Sequence, residues 1–89
     1  AHYTLGMILK EQGRTDEAIT EFQDATRIDP KYSEAYSGLG VAQLQKDDVT
    51  GAIQSFKEAI ANNSGNSTAH YGLGEAYRRQ GLLDEALKE

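Results

Sequence analysis

The chain has 89 residues, of which 38% are hydrophobic and 26% charged, a balance typical of one small folded, soluble domain. Fourteen acidic against nine basic residues give a net charge of −5, which argues against nucleic acid as the main ligand because phosphate contacts need a basic face. The absence of cysteine excludes disulfides, and no run of about 18 apolar residues is present, so we expect no membrane-spanning helix.

A 34-residue period runs through the whole sequence. A Leu-Gly pair recurs at this interval as Leu5-Gly6, Leu39-Gly40 and Leu73-Gly74. An alanine recurs in the same way, as Ala18, Ala52 and Ala86. Because unlike residue types share one interval, we divide 1–89 into a single array of repeats. Copy one is 1–32 with its start slightly truncated, copy two is 33–66, and copy three is 67–89 with its second helix truncated.

Copy one predicts two helices. The first residues run directly into a helical pattern without a cap, and Gly13 suits the left-handed conformation that ends a helix. The second helix carries Ala18, Phe22 and Ala25 on one stripe. Asp29-Pro30 ends it, because proline lacks an N–H and has a fixed φ.

Copy two predicts the same hairpin. Ser33 is expected to cap its first helix, and Lys46-Asp47-Asp48 forms the turn, since aspartate tolerates a left-handed φ better than most residues. One stripe of the first helix contains Tyr36, Leu39, Gly40 and Gln43. Gln43 brings a polar group near the core, so we expect looser packing in this copy.

Copy three is predicted to begin with Ser67 as its cap and to turn at Gly81 into a second helix. The segment before it, 62–67, has Ser64 in place of the proline that closes copy one and is expected to be the softest joint of the chain.

Small residues on the first helices predict close helix packing. Gly6, Gly40 and Gly74 each cost about 1 kcal/mol of helix propensity relative to alanine. That cost is reasonable if each glycine faces an alanine of its hairpin partner. Phe22 and Phe56 would then fill the space beside the hairpins. The leucines expected to pack against them are Leu5, Leu39 and Leu73.

The residues in register resemble the tetratricopeptide repeat (TPR) family along the whole chain. Its pattern is Trp-x2-Leu-Gly-x2-Tyr, then Ala-x3-Phe, then Pro. Copy three carries Leu73-Gly74 with Tyr77, and copy one carries Ala18, Phe22 and Pro30. The tryptophan position is occupied by His2, Tyr36 and His70. The resemblance implies an all-α, right-handed superhelix of antiparallel hairpins whose first helices line a concave groove, in a protein that acts as a scaffold or adaptor.

Periodicity predicts a partner-binding groove one helical step from the core stripe. Its residues are Tyr3, Met7 and Lys10; Ser37, Val41 and Leu44 with Gln45; and Tyr71, Glu75 and Arg78 with Arg79. An apolar centre with cations at its sides suits a protein or peptide partner, with acidic groups favoured. The alternative that Val41 and Leu44 only pack against neighbouring helices stays open.

One subclass of the family holds the terminal carboxylate of heat-shock chaperones with lysine and asparagine side chains in this groove. The positions that this clamp would need carry Tyr3, Met7 and Gly38 instead, so we expect no binding of that kind.

No arrangement of catalytic or metal-binding residues is evident. His2 and His70 occupy equivalent positions, so packing roles are expected, and no zinc-ligand spacing is present. We therefore expect no enzyme activity, no metal and no cofactor, and neither a nucleic acid nor a membrane as partner. The alternative function is self-assembly through the open ends of the array. The chain is expected to be an excerpt of a longer, cytoplasmic protein.

Overall fold

The computed structural model describes residues 2–88, and side chains within it from 2 to 82. Five α-helices follow one another: α1 (His2–Glu11), α2 (Thr15–Ile28), α3 (Ser33–Gln45), α4 (Val49–Asn62) and α5 (Ser67–Lys88). Each helix packs chiefly on its neighbours in sequence, as stacked hairpins do, so the all-α class is confirmed. Within this part of the chain no helix has the length and apolarity needed to cross a bilayer.

The first two hairpin turns lie where the sequence predicts them. Gly13 has a φ of 79° and Asp47 a φ of 61°, both in the left-handed region. Each turn is closed by two backbone hydrogen bonds: the N–H of Arg14 donates to the carbonyl of Leu9 at 2.9 Å, and the N–H of Gly13 to that of Lys10 at 3.1 Å. The turn at Asp47 repeats the pattern 34 residues on. This arrangement satisfies carbonyls that the helix end leaves without partners.

The turn predicted at Gly81 is wrong, because α5 continues through this residue to Lys88. Among the described residues nothing lies within 4 Å of the position that a Cβ on Gly81 would take, so none of them packs on it as a return helix would. Staying helical at a glycine costs about 1 kcal/mol, which is less than a reversal without compensating contacts. The predicted role of Ala86 lies outside the described side chains.

Two phenylalanines lock the hairpins together. Phe22 is fully buried between α1 and α3, where a Cβ on Gly6 would lie 2.8 Å from its Cε1 and one on Gly38 2.7 Å. Phe56 is enclosed in the same way between Gly40 of α3 and Gly72 of α5. The expectation that Gly6 and Gly40 face alanines is therefore wrong. They make room for an aromatic ring shared by successive repeats.

Gly74 and Leu5 have no such partners among the described residues. A Cβ on Gly74 would meet nothing within 4 Å. Leu39 is buried in the Phe22 cluster and Leu73 packs against the Phe56 cluster, but Leu5 is 44% exposed. Leu39 and Leu73 thus pack on the hairpin before them, whereas Leu5 is not part of the Phe22 cluster, which differs from its predicted packing.

The serine caps predicted for α3 and α5 are also wrong. Ser33 is the first residue of α3, buried beside the end of α4, and its hydroxyl donates to the carbonyl of Ala59 at 2.7 Å. The cap of α5 is Asn66, whose Oδ1 accepts the N–H of Ala69 at 3.1 Å. Asn66 Nδ2 also donates to Ser33 Oγ at 2.9 Å. Ser33 thus connects α3 with the end of α4 and with the cap of α5, and the carbonyl of Ala59 accepts the N–H of Asn63 at 2.9 Å as well.

Replacing Ser33 by alanine is expected to lower the free energy of unfolding by about 0.5–1.5 kcal/mol, because two buried hydrogen bonds are lost while the Ala59 carbonyl and the Asn66 amide each keep another partner. Ser67, at the same position of α5, is exposed, and its replacement is expected to change stability by less than about 0.5 kcal/mol. Urea unfolding followed by circular dichroism compares the two. Equal losses in both variants would contradict the bridging role.

Polar groups expected to loosen the array have hydrogen-bond partners. Gln43 Oε1 accepts the hydroxyl of Ser55 at 2.6 Å, and no buried polar side-chain atom among the described ones lacks a partner. In the joint before α5, Asn62 Nδ2 donates to the carbonyl of Glu58 at 3.0 Å, and Asn63 Oδ1 accepts the N–H of Gly65. The looseness expected at both places stays a prediction for hydrogen exchange.

Candidate protein-binding groove

A pocket of about 130 Å³ opens between α1, α3 and the start of α5. The groove residues that line it are Tyr3, Met7, Lys10, Ser37 and Val41. Four further residues complete the lining: Glu34, Gly38, Asn66 and Thr68. We call this the groove pocket. One molecule of liquid water takes up about 30 Å³. The pocket is several times larger than this and therefore has room for one small side chain.

The groove pocket has an apolar floor and a polar rim. Met7 and Val41 are half-buried and pack against the two core clusters. Gly38 adds depth, because the ring of Phe22 beneath it leaves no room for a side chain. Lys10 and Glu34 bring opposite charges to the lining. Such a site can hold an apolar side chain of a peptide, while polar groups at the rim orient the backbone of that peptide.

Tyr3 forms one wall of the pocket. Its ring centroid lies 5.9 Å from that of Phe22 and 5.2 Å from that of Tyr32, both in tilted arrangements. Burial, and after it the neighbouring Tyr32 and Glu34, raise the pKa of the Tyr3 hydroxyl above its ordinary value. Tyr3 is therefore a neutral phenol at physiological pH that can donate or accept a hydrogen bond.

The predicted cations differ in their availability. Arg78 is paired with Glu75 on its own helix, and this hydrogen bond is the main reason that the pKa of Glu75 is lowered. Arg79 donates to the carbonyl of Leu44 at 3.0 Å and lies 3.9 Å from Asp47. Within the described residues no ion pair includes Lys10.

Other predicted groove residues lie away from the groove pocket. Leu44 is buried in the Phe56 cluster, under the helix that carries Arg79. Gln45 lies at the far end of α3, where it accepts a 3.5 Å hydrogen bond from Thr15. Periodicity assigns a residue to a face of its helix but does not tell which neighbour covers it. On α5, Tyr71, Glu75 and Arg78 do not line the pocket, although Tyr71 is 78% exposed.

The sequence prediction of the groove omitted one repeat position, which Glu34 occupies in copy two and Thr68 in copy three. Glu34 and Thr68 are 34 residues apart, one helical turn before Ser37 and Tyr71. Extending each predicted triad by one turn towards its N-terminus would have identified both residues.

A cluster outside the groove was also missed. His2 Nδ1 lies 2.5 Å from Glu21 Oε2, and Asp24 is beside them. No local spacing reveals it, because its members are 19 and 22 residues from His2 in the sequence. The other histidine, His70, contacts the backbone carbonyl of Ser64 through Nε2 at 2.8 Å.

Comparison with known proteins bears on the whole chain. A family model described as "Tetratricopeptide repeat" matches residues 3–67 and again 55–89. Tetratricopeptide repeat protein 34 of Homo sapiens is 33% identical over 88 residues, which are 99% of this chain and 16% of the relative. The Aspergillus fumigatus heat-shock protein cognate (HSC) co-chaperone sgt12 is 33% identical over 69 residues, 75% of this chain and 20% of the relative.

Solved structures agree in architecture. The crystal structure of the Sgt2 TPR domain from Aspergillus fumigatus superposes with a TM-score of 0.88 at 28% identity, and the match covers 99% of this chain and 58% of that one. The chain thus spans a fifth or less of the curated relatives described above and a little over half of this solved domain.

Proposed function

This chain belongs to the tetratricopeptide repeat family, and from that premise we propose that its groove pocket binds an apolar side chain of a partner peptide or helix. The observation that carries the proposal is the composition of the pocket, in which α1 and α3 supply an apolar floor and a charged rim and the start of α5 adds Thr68. Family membership supports a protein-binding role in general. The particular site and partner chemistry are our proposal.

The partner is proposed to carry an acidic group near its apolar anchor. Lys10 is the cation of the pocket without an ion pair among the described residues, whereas Arg78 and Arg79 are already engaged. A partner carboxylate at Lys10 would form a charge-assisted hydrogen bond that fixes the direction of the peptide. The preference for acidic partners therefore rests on Lys10 and not on the arginines.

We propose that this chain does not bind the terminal carboxylate of a heat-shock chaperone, although its relatives include a co-chaperone. The chain covers only part of those proteins, and Tyr3, Met7 and Gly38 occupy the positions where a carboxylate clamp would need polar side chains. We propose a binding module in the cytoplasm, without enzyme activity and without affinity for nucleic acid or membranes.

Self-assembly is the second candidate, and a specific observation favours it. Leu5 and Ile8 are 44% and 49% exposed, but the residues 34 positions further on, Leu39 and Ala42, are buried against the preceding hairpin. An apolar face of this kind can stack on another copy. Light scattering over a concentration series separates the two candidates. Self-assembly by stacking raises the average molar mass as the concentration increases, whereas a monomeric binding module keeps the same molar mass.

The test of the proposed function uses a displayed random-peptide library selected on the native chain. Thr68 is exposed at the edge of the pocket, so Thr68→Trp is expected to obstruct it and to weaken the selected peptides roughly tenfold, or about 1.4 kcal/mol. Thr50→Trp is the matched control, because Thr50 is the exposed second residue of α4, as Thr68 is of α5.

Fluorescence anisotropy of labelled peptides measures each affinity, and Lys10→Glu tests the acidic preference. We expect Thr50→Trp to bind like the native chain and Lys10→Glu to weaken peptides in proportion to their acidic residues. Equal binding by both tryptophan variants, or no peptide enriched by the native chain, would refute the groove as the binding site.

A further inference from the structure

A mixed cluster of nitrogen and oxygen ligands lies where the first hairpin begins. His2 Nδ1, a carboxylate oxygen of Glu21 and one of Asp24 all lie within 4.8 Å of one another. All three residues are partly buried, and none lines the groove pocket. The cluster is therefore a separate feature, formed by the pairing of α1 with α2.

The repeat framework does not require these three residues. The equivalent positions of copy two carry Tyr36, Ser55 and Glu58, and α3 and α4 form the same hairpin with them. There Ser55 bonds to Gln43 within copy two. The combination of one imidazole and two neighbouring carboxylates is thus not needed to form the hairpin of copy two.

The chemistry of the three groups fits a divalent transition metal. Glu21 and Asp24 are three residues apart on α2, so both carboxylates lie on the same side of that helix. Two carboxylates this close repel each other unless a cation lies between them. An imidazole nitrogen with carboxylate oxygens is a ligand set that zinc binds, whereas magnesium and calcium take oxygen ligands alone.

We propose that His2, Glu21 and Asp24 form a zinc-binding site that joins α1 to α2. Zinc takes the place of the hydrogen bond between His2 Nδ1 and Glu21 Oε2, and the neutral imidazole then carries its hydrogen on Nε2. The competing partner is Arg27, 3.7 Å from Asp24, and its side chain is 72% exposed and free to turn away. Water completes the coordination.

Isothermal titration of the chain with zinc chloride tests the site. The amino terminus is acetylated in every sample, so that a terminal amine beside His2 supplies no ligand. We expect the native chain to bind one zinc ion. The zinc affinity of His2→Gln and of Glu21→Gln is expected to be at least roughly tenfold lower. His70→Gln is the matched control for the histidine, and Glu17→Gln, on the same helix, is the control for the carboxylate.

A second readout separates a metal site from a structural role. Zinc is expected to raise the melting temperature of the native chain and of both controls, but not that of Glu21→Gln, since a ligand stabilises only the state that binds it. If Glu21→Gln is not helical by circular dichroism, Asp24→Asn takes its place in the same comparison. The absence of zinc binding to the native chain, or equal binding by His2→Gln and His70→Gln, would overturn the proposal.

Discussion

Truncating Phe56 to alanine is expected to lower the free energy of unfolding by about 3–5 kcal/mol. The side chain is fully buried and forms part of the core cluster shared by α3, α4 and α5. The glycines that enclose it, Gly40 and Gly72, have no side chains that can move into the space left by the ring. A large part of the cavity therefore persists, and the cost belongs to the upper range for an aromatic residue.

Urea unfolding measured by circular dichroism gives this change directly. The control is Tyr71→Ala, which removes an aromatic ring that is 78% exposed and is expected to cost less than about 0.5 kcal/mol. Since small domains are stable by only about 5–15 kcal/mol in total, Phe56→Ala is expected to show a clearly shifted midpoint or to be largely unfolded. A loss below about 1 kcal/mol would show that the shared ring does not hold the repeats together.

Alanine substitutions at Gly72 and Gly74 are expected to have opposite signs, although the two residues lie in the same helix. Both replacements gain about 1 kcal/mol of helix propensity. At Gly72 the new Cβ would overlap the ring of Phe56, which Gly40 and its helix hold from the other side, so overpacking of about 1–3 kcal/mol outweighs that gain. At Gly74 the new Cβ would meet none of the described residues within 4 Å, so the gain remains.

The two glycine variants serve as controls for each other, because the propensity gain is common to both. Their difference in unfolding free energy, measured in urea under identical conditions, equals the overpacking cost. Gly72→Ala is expected to unfold at a lower midpoint than the native chain and Gly74→Ala at a higher one. If both variants are stabilised, Phe56 can shift, and the two-sided enclosure of its ring is not rigid.

The helices and the first two turns could be predicted because their causes are local. A 34-residue period, a helical stripe of apolar residues and a residue that tolerates a positive φ at Gly13 or Asp47 act within one hairpin. Gly81 resembles Gly13 in sequence and yet lies inside α5. A glycine permits a reversal of the chain, and packing of the returning helix decides whether the reversal forms.

The groove was predicted less completely than the helices. Periodicity selects one face of each first helix, and the groove pocket contains Tyr3, Met7, Lys10, Ser37 and Val41 from the predicted set. Leu44 satisfied the same periodicity and Arg79 was expected to flank the groove, but α5 covers Leu44, and Arg79 bonds to the carbonyl of Leu44. Contacts between different repeats decided these positions.

The sequence by itself determined the all-α repeat fold of this protein, because each copy contains the same pattern of helix-forming and apolar residues and so forms the same hairpin. Only the tertiary structure decided which partner each special residue meets. Gly6, Gly38, Gly40 and Gly72 face aromatic rings and not alanines, and Ser33 bridges three helices in place of capping one. His2 meets Glu21 and Asp24 across the hairpin. These contacts join residues 16 or more positions apart, and their distances depend on how the helices stack, which local propensity does not specify.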